Sequence, residues 1–258
     1  MTMRWALVTG ATGTVGSACA RALAVSGFAV HVHGRRPDAV SEAVDALRSA
    51  GRIAEPFLAD LGDPGRTEEA VRRLGAEDRA PLVLVNAAAE FGPLAPVAEI
   101  PGSEWSRLLA VNLESPLALI RSVLPGMLGA GWGRVIQVSS AAALAAPGAG
   151  NAAYSVTKAA LDRALGHLAA DLGGTGVTVH SFHPGEFASR MWEHIKAESG
   201  APGLEGFAEW AQRTGGSPDD PEAVVRFVRS LLNDEEAERR HGAFSWAQQP
   251  DREPQPLR

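Results

Sequence analysis

The feature that most constrains this chain is a strict alternation of short apolar runs with segments whose apolar residues recur at helical spacing. Trp5-Ala6-Leu7-Val8 is a short apolar run that stops at Thr9-Gly10, as a buried strand does. From Val15 to Val25 the residues Val15, Ala18, Cys19, Ala22 and Leu23 follow helical spacing until Gly27. Phe28 to His33 reads as strand, Asp38 to Ala50 as helix, and Ile53 to Leu58 as a third strand weakened by Pro56. A polar helix around Glu68 to Leu74 leads to a fourth strand, Leu82 to Val85. The second half repeats the rhythm. A long helix from Ser103 to about Leu128, bent or segmented by Pro116 and Pro125, precedes a strand at Val135 to Val138. A helix from Ala152 to Leu172 and a strand from Val177 to Phe182 follow. After a break from Gly185 to Ser217 come a helix, Pro221 to Leu232, and a short strand, Ala243 to Trp246.

Strands apolar on both faces and separated by helices predict an α/β fold: a parallel sheet of about seven strands with helices on both faces. No internal repeat or linker interrupts it, so residues 1–249 form one domain. Residues 250–258, with three prolines, are expected to be a loose tail.

A chain of 258 residues, 45% hydrophobic and 21% charged, buries a full core and is not disordered. Its net charge of −6 argues against a nucleic-acid partner. The single cysteine, Cys19, excludes an internal disulfide and a multi-cysteine metal cage, and it reads as a core residue of the first helix. The seven histidines are scattered without ligand spacing, so no metal is expected. No apolar run approaches the roughly 20 residues of a membrane span. Met1 to Trp5 enter a strand pattern at once, without a signal peptide. A cytoplasmic protein with no membrane partner is expected.

Thr9-Gly10-Ala11-Thr12-Gly13-Thr14-Val15-Gly16 connects the first strand to the first helix. Glycines at 10, 13 and 16 let the backbone turn sharply and approach a pyrophosphate. That group would rest on the helix N-terminus, where free N–H groups and the dipole favour an anion. A tight turn without a ligand is the alternative. The end of the second strand selects the nucleotide. A carboxylate there would hold a free ribose hydroxyl, but this chain has Gly34-Arg35-Arg36 and no acid until Asp38. Guanidinium groups favour a 2′-phosphate, so NADP(H) is expected over NAD(H), unless both arginines are merely solvated.

From Ala6 to about Trp246 the chain resembles the short-chain dehydrogenase/reductase family. The resemblance rests on the glycine loop, Asp60-Leu61 after the third strand, and Asn86-Ala87-Ala88-Ala89 after the fourth. It continues with Asn112 in the long helix, Ser139-Ser140 after the fifth strand, Tyr154-Ser155-Val156-Thr157-Lys158, and Pro184-Gly185 after the sixth. It implies a Rossmann-type sheet and a homodimer or homotetramer. It further implies a catalytic set of Asn112, Ser140, Tyr154 and Lys158. The implied cofactor residues are Gly10, Thr12, Gly13, Thr14, Val15, Gly16, Gly34, Arg35, Arg36, Asp60, Leu61, Asn86, Ala87, Ala88, Tyr154, Lys158, Pro184 and Gly185. By the same resemblance, Lys158 also contacts the nicotinamide ribose and Asn112 holds a relay water. Two departures bear on cofactor grip: the family's commonest glycine pattern is TGxxxGxG, and its Asn-Asn-Ala-Gly is here Asn-Ala-Ala-Ala.

The chemistry fits these residue types. Reducing a carbonyl needs a hydride on carbon and a proton on oxygen, and a free tyrosine, with a pKa of about 10, is a poor proton shuttle at neutral pH. Lys158 lies one helical turn after Tyr154, so its ammonium is expected to lower the tyrosine's pKa. Ser140 would steady the substrate oxygen, although a loop from Ala141 to Ala153 that counts about one residue longer than the family's keeps Ser139 open for that role. Tyr154 is the only tyrosine in the chain. His183 reads as a strand-end residue beside the nicotinamide pocket.

Residues 186–217 correspond to the family's substrate lid. Met191, Trp192, Phe207 and Trp210 would line an apolar pocket for a bulky carbonyl or alcohol substrate, or else pack against the core or a second subunit. Two functions stay open: a hydride-transferring oxidoreductase, or the same scaffold using NADP as a structural ligand for a non-redox step or for regulation.

Overall fold

Successive residues of a strand point to opposite sides of a sheet, so a strand buried at every position needs cover on both faces. The first strand, β1 (Trp5–Thr9), is buried throughout. Ala6 and Val8 pack into one apolar core, while Leu7 packs into the other. The computed structural model describes residues 3–76, 78–144, 150–201 and 203–257. In it β1 is followed by α1 (Thr14–Val25), β2 (Ala29–Gly34), α2 (Pro37–Ser49), β3 (Ala54–Leu58), α3 (Pro64–Ala76) and β4 (Pro81–Asn86). Then come α4 (Gly102–Leu109), α5 (Ser115–Ala130), β5 (Gly133–Val138), α6 (Ala152–Leu172) and β6 (Val177–His183). The chain closes with α7 (Arg190–Glu198), α8 (Glu205–Gly216), α9 (Pro221–Ser230), α10 (Asp234–Arg239), β7 (Ala243–Trp246) and β8 (Gln255–Pro256).

The sheet runs β3-β2-β1-β4-β5-β6-β7-β8. Its first seven strands are parallel, and β8 pairs antiparallel with β7. Helices α1, α2 and α9 cover one face, and α3, α5 and α6 the other. The order reverses between β1 and β4, where a parallel sheet of this kind opens a crevice for ligands. Cys19 sits in the first core with its thiol pushed up to about 12 by burial. Pro56 falls on β3, an edge strand that can spare its N–H.

Three expectations are corrected. The sheet has eight strands rather than about seven. The eighth comes from the tail expected to be loose: Leu257 N donates to Gly242 O at 2.9 Å, and Arg240 donates to Pro250 O at 3.0 Å. The tail supplies the pairing that the outer edge of β7 would otherwise lack. The helix from 103 to 128 is segmented just ahead of Pro116, as expected, into two α-helices joined by a π turn, Ala110–Glu114, while Pro125 stays inside the second helix. Taken together, Gly102–Ala130 is also long and apolar enough to cross a membrane, contrary to the reading that no run approaches that length. Half of its most apolar window is buried in the protein, where Leu119, Ile120, Val123 and Met127 pack beneath the sheet.

Candidate active site

The carboxyl ends of β1, β2, β4, β5 and β6 open into a cavity of about 1080 Å³ that contains the glycine loop and Tyr154 together. Gly10 has φ +63°, and a Cβ on it would stand 2.8 Å from the Ala88 backbone. A Cβ on Gly16 would stand 2.1 Å from Gly10 O. Both positions therefore need glycine, whereas Gly13 has room at 3.4 Å. Two buried side chains pin the loop. Gly10 N donates to His33 Nδ1 at 3.1 Å, so the proton is on His33 Nε2, which meets Ala59 O at 3.2 Å. Burial pushes His33 down to about 4 and keeps it neutral. Thr9 Oγ1 accepts from Ala87 N at 3.0 Å and from Ala88 N at 3.1 Å, which fixes β4's loop to β1. Helix α1 starts after Gly13 with no side-chain cap. Thr14, Val15 and Gly16 line the cavity, so the first turn of α1 offers its N–H groups to an anion. This cradle fits the diphosphate of a dinucleotide.

At the adenosine end, Thr12, Gly34, Arg35, Asp60 and Leu61 line the cavity. Arg35 Nη1 pairs with Glu90 Oε1 at 2.7 Å, and Arg107 grips the same carboxylate with Nε and Nη2 at 2.7 and 2.8 Å. Because β1 lies between β2 and β4, the Arg35–Glu90 pair reaches across the top of the glycine loop.

On the opposite wall, Tyr154 and Lys158 share the inner face of α6. The Ser140 side chain acts on Tyr154 in the direction that favours its phenolate, and Ser140 Oγ accepts from Ala142 N at 3.2 Å. Ser139 Oγ donates instead to Asp162 Oδ2 at 2.7 Å. Of the two serines it is thus Ser140 whose hydroxyl meets the tyrosine. Lys158 Nζ donates to Val138 O at 2.9 Å and lies 5.7 Å from the Tyr154 ring centre. The expected lowering of the tyrosine's pKa is absent here. Burial pushes Tyr154 up to about 12, Ser140 only partly opposes this, and burial pushes Lys158 down to about 8. Desolvation dominates at Tyr154, and the Asp162 charge adds to it. His183 lines the cavity, accepts from Ala141 N at 3.3 Å through Nδ1, and is held below its usual range by burial.

Helices α7 and α8 form the roof. Phe91 stacks on Tyr154 at 4.7 Å and meets Phe207 edge-on at 6.2 Å. Met191, Ile195, Phe207 and Trp210 complete an apolar cluster above the tyrosine. Trp192 also lines the cavity, but its Nε1 donates to Ala211 O at 2.9 Å, and its ring leaves no room for a Cβ at Gly215. Its indole ties the two roof helices together.

The family model for short chain dehydrogenases matches residues 4–200. The chain belongs to the short-chain dehydrogenase family. An uncharacterized oxidoreductase of Bacillus subtilis (strain 168) is 38% identical over 185 residues, covering 70% of this chain and 67% of that protein. A Haemophilus influenzae protein named "Probable NADP-dependent dehydrogenase" is 33% identical over 191 residues, 74% of each chain. Among solved structures, the 3-oxoacyl (acyl-carrier-protein) reductase of Agrobacterium tumefaciens C58 with NADP bound superposes with a TM-score of 0.81 at 27% identity. That match covers 94% of this chain and 92% of the other.

In this short-chain dehydrogenase the residues expected at the site divide into two groups. Gly10, Thr12, Gly13, Thr14, Val15 and Gly16 of the loop, with Gly34, Arg35, Asp60, Leu61, Ala87, Ala88, Ser140, Tyr154, Lys158, Pro184 and Gly185, line the cavity, as do the four expected roof residues. Arg36, Asn86 and Asn112 are not among its lining residues. Arg36 is exposed at the head of α2. Asn86 is buried with no partner for its amide among the described residues. Asn112 sits in the π turn, where its side chain is already engaged: Oδ1 accepts from Glu90 N at 2.9 Å, and Nδ2 donates to Glu90 O at 2.8 Å and Thr157 Oγ1 at 3.1 Å. It therefore fixes the loop after β4 against α6. Positions 145–149 of the loop counted as long lie outside the described residues.

Sequence reasoning missed Thr9, His33, Glu90, Phe91 and Ile195. A histidine alternating with valines in an apolar strand was the available signal for His33, and Ile195 falls one turn after Met191. Nothing local marks Glu90 or Phe91.

Proposed function

We propose that this enzyme is an NADPH-dependent oxidoreductase acting on a carbonyl/alcohol pair, with Tyr154 as its acid–base group. The observation that carries the reading is the convergence of Tyr154, Ser140 and the glycine cradle in one cavity. The cradle, Asp60-Leu61 and Arg35 would hold the cofactor, which supplies or accepts the hydride when bound. Arg35 supports a preference for a 2′-phosphate, a ligand that would compete with Glu90 for the same guanidinium. The NADP-bound reductase from Agrobacterium and the Haemophilus relative support the same preference.

The chain's own groups divide the proton work. Tyr154 Oη gives its proton to the substrate oxygen in reduction and takes it back in oxidation. The Ser140 hydroxyl donates to that oxygen as charge develops on it. The raised pKa of Tyr154 keeps it protonated, a donor in waiting, until a neighbouring charge favours the phenolate. Phe91, Phe207, Trp210 and Met191 exclude water above it and favour a bulky, apolar carbonyl.

Tyr154→Phe tests the reading. NADPH consumption over a panel of aromatic ketones, quinones and imines should fall by about two to four orders of magnitude. NADPH binding by calorimetry should stay within a few-fold of the original and tighter than NADH. Substantial turnover in Tyr154→Phe would remove the tyrosine from its role.

A further inference from the structure

The face of α6 that holds Tyr154 and Lys158 carries a third ionisable side chain. Asp162 lies one turn beyond Lys158 and is 3% exposed. Each of its oxygens accepts from a buried hydroxyl: Ser139 Oγ at 2.7 Å from the end of β5, and Ser181 Oγ at 2.6 Å from β6. No cation hydrogen-bonds to it among the described residues. Lys158, whose Nζ donates to the neutral carbonyl of Val138, is the cation whose field reaches Asp162 and favours its ionised form, against a burial that holds the carboxyl above its usual range. The other groups facing Asp162 are the two serines and Tyr154, whose phenolate the Asp162 charge by itself disfavours, so its service to the tyrosine runs through Lys158. His183, further along β6, responds to Glu186 and Asp219 instead.

A carboxylate is costly to bury unless it is hydrogen-bonded and balanced by charge. An ammonium beneath a sheet has the same need. We propose that Asp162 is a positioning residue of the reaction, the internal counter-charge that keeps Lys158 protonated behind Tyr154, with Ser139 and Ser181 holding the carboxylate in its ionised form. This rests on the reading of Tyr154 and Lys158 given above. A neutral lysine would neither favour a phenolate nor keep its ammonium donors. Burial alone pulls Lys158 down, and Asp162 is the one group that raises it.

The sequence makes the test unusually direct, because Lys196 is the only other lysine. Lysine labelled with carbon-13 at Cε gives two resonances, and Lys196→Arg assigns them. In the full-length protein, Asp162→Asn should move the Lys158 titration midpoint down by about one pH unit or more. Asp162→Glu, which keeps the charge while disturbing the packing, should leave it near its original value. The alkaline fall in turnover should move with the lysine. An unchanged Lys158 midpoint in Asp162→Asn overturns the proposal. If Asp162→Asn does not fold, the Asp162 carboxyl resonance of the unaltered protein decides. Ionised at neutral pH it supports the counter-charge, and protonated up to the Lys158 midpoint it overturns it. The lysine and carboxyl resonances need no substrate, so they stand or fall separately from the activity of Tyr154→Phe.

Discussion

The floor and the roof of the cavity are built on different principles. The floor is backbone held by buried, uncharged side chains: Thr9 ties β1 to the loop after β4, and His33 ties the glycine loop to β2. Two glycines there have no room for a Cβ. The roof is two helices that touch the rest through side chains, such as His194 Nε2 to Gly92 O at 3.0 Å and Thr214 Oγ1 to Glu186 Oε2 at 3.1 Å. Its aromatic contacts with Phe91 are apolar and non-directional. The lesson is that a groove for an invariant ligand is defined by main-chain approach, while a wall facing a variable one is defined by side-chain volume.

Acid should break the floor most severely. His33 titrates at about 4 in the folded state against 6.5 ordinarily. Between those values the unfolded chain binds a proton that the folded chain does not, so stability falls as pH drops from 6.5 toward 4 and is flat above. The slope is about 1.4 kcal/mol per pH unit for this residue. Urea unfolding across that window should show it, and His33→Gln should remove about one proton from the linkage.

Thr9→Val keeps the shape and leaves two half-buried N–H groups without their acceptor. A loss of about 2 kcal/mol, read as a melting temperature lower by about 5 °C, is expected. Gly16→Ala drives a methyl into Gly10 O; at an overpacking cost of about 1–3 kcal/mol, nucleotide affinity should fall by one to two orders of magnitude. The roof should respond least. Phe207→Ala is expected to change KM across a substrate panel by about tenfold, with NADPH affinity unaltered. If Phe207→Ala weakens NADPH binding as much as Gly16→Ala, the division between floor and roof is wrong.

The layers and their order are legible in the sequence because strand and helix faces carry periods of two and 3.6 residues, and the parallel core needs both faces apolar. The glycine loop and the Tyr154–Lys158 pair are legible for the same local reason, a fixed spacing at the start of a helix or along one. What escapes is long-range. The π turn at Ala110–Glu114 coincides with Asn112 bonding to Glu90, 22 residues away, and nothing in the helical pattern announces it. The raised pKa of Tyr154 follows from how completely the fold buries it, which a helical spacing to Lys158 does not report. Three prolines make residues 250–258 read as loose, yet Pro256 sits on an edge strand, where a sheet tolerates proline.

That last strand has a consequence for handling the protein. Removing the residues from Pro250 onward would bare a row of main-chain donors and acceptors on β7, a template on which another molecule's strand can add. A shortened chain should keep its fold and lose its solubility, clumping through sheet edges that the full chain keeps capped.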